Sequence, residues 1–97
     1  MFTSKQRSNL KALASGIEPI GQIGKSGVTD NVVESLSKAL DKRELIKVSV
    51  LQNADMAPAD YAEELAEKLS AEVVCTIGKK IVLYRRSEKE YIKHIEF

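Results

Sequence analysis

The stretch Pro19-Ile20-Gly21-Gln22-Ile23-Gly24-Lys25-Ser26-Gly27-Val28-Thr29-Asp30 decides the fold, because three local signals follow one another in it without a gap. Pro19 excludes helix, so 19–23 reads as a short strand with the proline at its start, where a missing amide donor is tolerated. Gly24 to Gly27 reads as a tight turn, since residues without Cβ let the backbone fold back sharply. Thr29 or Asp30 then caps a helix whose Val32, Val33, Leu36 and Leu40 make an apolar stripe at helical spacing, ending near Asp41-Lys42-Arg43. Strand, turn and helix in this order commit the chain to mixed α/β structure.

On the N-terminal side, Thr3-Ser4-Lys5-Gln6 has the Thr-x-x-Gln spacing of a capping box, and the helix it opens runs to Ser15. Leu10, Leu13 and Ala14 form its apolar face, the basic residues take the other, and Gly16 is placed to end it in the left-handed conformation. On the C-terminal side, Leu45 to Val50 alternates cleanly, so Ile46, Val48 and Val50 face a core and Lys47 and Ser49 the opposite side. Pro58 opens a third helix with Tyr61, Leu65 and Leu69 on one face beside Ala62 and Ala66. Strands over 73–77 and 81–85 flank Gly78-Lys79-Lys80, short enough for a tight hairpin. Tyr84 lies on the face of Val82, which leaves it either core or exposed. The tail from Ser87 mixes charge with Tyr91, Ile92, Ile95 and Phe97 and fits a docked strand, a short helix or a flexible end.

The expected fold is therefore α/β of the α+β two-layer kind: α-β-α-β-α-β-β, with a four-stranded mixed sheet packed against helices. The 97 residues, 43% of them hydrophobic, suit one compact domain over 1–97 without linker or repeat. No apolar run approaches the roughly eighteen residues of a membrane span, and no apolar stretch follows a basic start, so the expected location is the cytoplasm. Cys75 is the one cysteine, set in the apolar run 72–77, which excludes a disulfide framework and a zinc site and reads as a small buried hydrophobe.

Net charge is only +1, but it is unevenly spread. Between Asp55 and Glu72 stand six acids against Lys68, a balance of −5, and the rest of the chain therefore carries +6. Residues 1–16 carry Lys5, Arg7 and Lys11 with no acid, and Gly78 to Ser87 carries Lys79, Lys80, Arg85 and Arg86 unopposed. Such asymmetry suits an anionic partner on one face; scattered charges serving solubility are the alternative.

Gly24-Lys25-Ser26 looks like the end of a nucleotide-binding P-loop, but that motif needs a glycine where Pro19 stands. A phosphate backbone can instead approach the glycines closely, with Lys25 supplying charge and the helix from Thr29 its positive end. A Gly-x-x-Gly turn between strand and helix resembles the clamp of KH domains, although a plain surface turn has the same spelling. Catalysis finds little support: His94 is the sole histidine and reads as a surface residue, and Glu63 and Glu64 lie at the spacing of a solvated helix face. No enzyme, no metal site and no cofactor is expected.

Four ordered blocks resemble the single-domain YhbY-like branch of CRM domains (chloroplast RNA splicing and ribosome maturation). They are Thr3-Ser4-Lys5-Gln6-Arg7 with Leu10-Lys11-Ala12-Leu13-Ala14, then Ile23 to Thr29, then Ala39-Leu40 with Arg43-Glu44-Leu45-Ile46-Lys47-Val48, then Ile77 to Arg85. The resemblance implies a fold similar to the C-terminal domain of bacterial translation initiation factor 3. It also implies RNA binding linked to assembly of the large (50S) ribosomal subunit, with the RNA-contacting loop on Gly24, Lys25, Ser26 and Gly27. Charge extends that surface to Lys5, Arg7, Lys11, Lys47, Lys79, Lys80 and Arg85. The expected partner is ribosomal RNA of the large-subunit precursor, with ribosomal proteins as further candidates, no membrane, and a monomeric chain. A protein-binding adaptor working through the acidic helix 58–69 is the rival reading.

Overall fold

The computed structural model describes residues 2–97 and has the expected element order: α1 (Ser4–Ala14), β1 (Gly21–Ile23), α2 (Asp30–Arg43), β2 (Leu45–Val50), α3 (Pro58–Leu69), β3 (Glu72–Ile77) and β4 (Lys80–Tyr84). The four strands form one mixed sheet in the order β1-β2-β4-β3; β1 runs parallel to β2, and the other two pairings are antiparallel. Among the described residues no helix is long and apolar enough to cross a membrane.

Alternation along the strands separates two cores. Ile23, Ile46, Val48, Val50, Ile81 and Leu83 pack under α2 and α3 against Leu36, Leu40, Tyr61, Leu65 and Leu69. Leu45, Val82, Tyr84 and Val74 face the other way and are covered by Leu10 and Ala14 of α1. Burying each of these larger aliphatic side chains contributes about 1.5–3 kcal/mol. The helices thus divide between the faces, and α1 with the tail adds a partial third layer to the expected two. Tyr84 belongs to this second core, where its ring meets Phe2 and Phe97 edge-on at 5.6 and 5.0 Å.

The local signals act as their chemistry dictates. The capping box at Thr3 forms in both directions, Gln6 N–H to Thr3 Oγ1 and Thr3 N–H to Gln6 Oε1. Thr29, not Asp30, is the cap of α2, its hydroxyl oxygen accepting the Val32 N–H. Gly16 does not end α1 in the left-handed conformation: Ser15 caps it in ordinary helical geometry, and the chain unwinds through Gly16 N–H to Leu13 C=O and Ile17 N–H to Ala14 C=O. Leu13, expected on the buried face, is 46% exposed because the sheet lies under Leu10 and Ala14, to one side of it. Close approach explains Gly21, where a Cβ would stand 3.0 Å from Leu36.

The tail forms neither a strand nor a helix. It is an irregular segment docked on the second core by Ile95 and Phe97. Its anchor is Glu44, wholly buried at φ 64°, whose carboxylate accepts the N–H of Ser87 and of Ile95 and lies 2.5 Å from His94 Nδ1. His94, expected as a surface histidine, is 34% exposed at its side chain and is at the same time paired with this carboxylate. Burial pushes the Glu44 carboxyl up, but the hydrogen bonds from His94, Ser87 and Ile95 and the His94 charge outweigh it and hold the carboxyl below its ordinary range.

Candidate nucleic-acid interface

Parallel β1 and β2 both point their C-terminal ends at one edge of the sheet, and β4 begins there because it runs the other way. The turn after β1 and the β3-β4 hairpin are therefore neighbours, 55 residues of sequence notwithstanding. Each is tied to the end of β2, which lies between them: Leu51 N–H to Ile23 C=O at 2.8 Å and Val50 N–H to Lys79 C=O at 2.7 Å. Gly24 to Gly27 closes as a turn through Gly27 N–H to Gly24 C=O at 3.0 Å, with Lys25 and Ser26 exposed at its tip and Gly24 and Gly27 half-buried beneath. Gly27 holds φ at +69°, and α2 starts three residues on. Lys79 and Lys80 are exposed beside this turn, next to Gly78 at φ +57°. Three unburied ammonium groups, a glycine turn and the positive end of α2 therefore share one edge, an arrangement fit to seat a phosphate. Asp30, exposed in the first turn of α2, places a negative charge at the same helix end.

The other basic residues divide differently. Alternation puts Lys80 and Lys47 on the second face, and Lys47, Val82 and Cys75 form one cross-strand row. Lys47 is only 9% exposed. Burial pushes the Cys75 thiol up, while the charges of Lys11, Arg7 and Lys47 pull against that, which marks these three cations as its surroundings. Arg7 is already engaged: its guanidinium donates to the carbonyls of Val73 and Val74 at 2.8 and 2.6 Å, where β3 carries a register shift, and lies over the Phe2 ring. Lys5 is exposed on the first turn of α1, which begins beside Tyr84 at the far end of β4, about 13 Å of strand from Lys80.

Arg85 must be removed from the expected basic surface. Its guanidinium turns inward, donating to Leu69 C=O at 2.9 Å, to Ser37 C=O and Oγ, and to Asp41 Oδ1 at 3.0 Å, so its charge is spent on joining β4 to α2 and α3. Strand alternation gives no warning, because Arg85 lies just past the strand end where its direction depends on the helices above. Sequence reading also missed Glu44, whose burial follows from the tail folding back over it, and the loop 51–56 beside Gly24, which carries no charge pattern.

A family model described as the CRS1 / YhbY (CRM) domain matches residues 2–85. The "Probable RNA-binding protein YqeI" of Bacillus subtilis is 46% identical over 96 residues, covering 99% of this chain and 98% of that protein. An "RNA-binding protein" of Haemophilus influenzae is 34% identical over 92 residues, covering 95% of this chain and 93% of that one. Among solved structures, the Staphylococcus aureus hypothetical protein SAV1595, described as a candidate RNA binder, is 46% identical and superposes with a TM-score of 0.69 over 93% of this chain and 94% of that one.

Proposed function

Since the chain belongs to the CRS1/YhbY (CRM) domain family, we propose that it binds RNA at the glycine-turn edge of the sheet. The RNA we assign is ribosomal RNA in precursors of the large subunit, where the protein assists assembly by positioning and not by turnover. One observation carries the reading: the Gly24–Gly27 turn, closed on itself and bared of side chains at both ends, leaves the same end of the sheet as the Lys79-Lys80 hairpin, with the end of β2 between them, so backbone amides and three exposed cations lie at one end of the molecule. The descriptions of the B. subtilis and H. influenzae relatives support RNA as the anion. The low net charge of +1 favours a shaped local contact over general adhesion to polyanions.

Titrating the full chain with a large-subunit ribosomal RNA fragment at several salt concentrations tests this. Lys25→Ala should weaken binding and lower the slope of log K against log salt by about one, as expected for one lost phosphate contact. A variant that matches its parent in affinity and slope would remove the loop from the interface. Crosslinking in cells with sequencing of the attached RNA tests the ribosomal assignment, which recovery mainly of messenger RNA overturns.

A further inference from the structure

The loop between β2 and α3, Leu51-Gln52-Asn53-Ala54-Asp55-Met56, forms a wall beside the glycine turn. A Cβ placed on Gly24 would lie 3.5 Å from Leu51 Cδ1 and 3.6 Å from Asn53 Oδ1, so the bare side of the turn faces these two side chains. The wall is fixed by backbone bonds. Leu51 N–H is held by Ile23, Ala54 N–H returns to Leu51 C=O at 3.1 Å, and the buried phenol of Tyr61 accepts both Asp55 N–H and Met56 N–H at 3.1 and 3.2 Å. The same Tyr61 ring lies 3.9 Å from the point where a Gly27 Cβ would stand, so one residue braces loop and turn together.

The chemistry displayed on this wall differs from that of the turn. Leu51 and Met56 are 39% and 43% exposed, and the amides of Gln52 and Asn53 are exposed with no hydrogen-bond partner among the described residues. Single exposed apolar residues are ordinary on any surface. Here two of them flank a pair of free amides on a loop whose backbone is hydrogen-bonded at Leu51, Ala54, Asp55 and Met56, within contact of a turn fit to hold phosphate. An amide presents a donor and an acceptor side by side, the pattern that pairs with the edge of a base. Apolar side chains suit the faces of a base, which a paired, stacked nucleotide does not offer. Asp55, exposed on the same loop, repels phosphate from this side and leaves it to Lys25.

We propose that the loop 51–56 reads an unpaired RNA base while the adjacent Gly24–Gly27 turn holds its phosphate, with Leu51 and Met56 against the base face and the Gln52 and Asn53 amides on its edge. The proposal rests on the RNA-binding reading above and sharpens it, since it makes the ligand a single-stranded segment with base preference and not a duplex backbone.

The test measures binding of the full chain to the four homopolymeric single-stranded RNAs and to a duplex of equal length, at several salt concentrations. The parent should bind the single strands better than the duplex and separate the best from the worst homopolymer by about tenfold. Gln52→Ala with Asn53→Ala should collapse that separation to within about threefold while leaving the salt slope unchanged. Leu51→Ser should weaken binding to every single strand by roughly tenfold, again at constant slope. Equal binding of all four homopolymers by the parent, or a double variant that keeps the parent's preference, overturns base reading even while Lys25→Ala still lowers the slope. If the parent binds the large-subunit ribosomal RNA fragment but none of these RNAs, base reading fails alone; if it binds neither, the RNA-binding reading fails and takes this one with it.

Discussion

Gly27 holds φ at +69°, a backbone conformation that costs an ordinary L-residue about 1–2 kcal/mol. Gly24 has no such φ, and a methyl group there would meet only ordinary contact distances. The two glycines therefore differ: the backbone conformation requires Gly27, whereas Gly24 leaves its bare side against Leu51 and Asn53, where the proposed RNA contact would lie. Gly27→Ala should lower stability by about 1–2 kcal/mol in a chemical denaturation curve. Gly24→Ala should leave that curve within about 0.5 kcal/mol of the parent and still weaken RNA binding several-fold. Equal RNA affinity in Gly24→Ala and parent, measured by titration, would show that no ligand passes over this position.

Elements meet through arginines that the basic pattern had pointed outward. Arg7 fastens α1 to β3 where the register shift frees the carbonyls of Val73 and Val74. Arg85 fastens the end of β4 to both helices of the opposite layer, satisfying the Leu69 carbonyl as well as Ser37 and Asp41. Charge-assisted hydrogen bonds of this kind contribute more than neutral ones, and losing the donor leaves the carbonyls unpaired. Arg85→Ala should lower unfolding free energy by about 2–3 kcal/mol in denaturant while leaving the salt slope of RNA binding unaltered. Arg85→Lys should recover little of it, since one ammonium cannot span the acceptors that the planar fork reaches. A drop in salt slope for the alanine variant, with stability intact, would restore Arg85 to the interface. The helices and strands themselves were legible because capping and alternation are written within a few residues, as at Thr3 and along Leu45 to Val50. The direction of a side chain beyond a strand end was not.

Over the whole molecule, the tail, β2 and the end of β4 are joined through the buried carboxylate of Glu44, which accepts Ser87 N–H and Ile95 N–H beside His94. Because its carboxyl is held below the ordinary range when folded, its stabilisation is present above the unfolded-state value and is lost as pH falls through the folded one. Hydrogen-exchange protection of the Ile95 amide, and the tail contact of Phe97 with Tyr84, should therefore weaken in acid below the usual carboxylate range. Glu44→Gln should show weaker docking at neutral pH and no such acid step. An acid step that persists in Glu44→Gln would assign the titration to another group.

Sequence alone determined the glycine turn, its place between strand and helix, the α-β-α-β-α-β-β order and the resemblance that named the family, because each depends on residues close together along the chain. Tertiary structure decided which cations remain free. Lys25, Lys79 and Lys80 come to one edge because parallel and antiparallel strands end there together, whereas Arg7 and Arg85 are taken up by carbonyls that the packing presents to them. It also decided that Leu51 and Asn53 face Gly24 and that Glu44 is buried under the tail. Charge and apolarity are properties of residues, but availability depends on what folds over them.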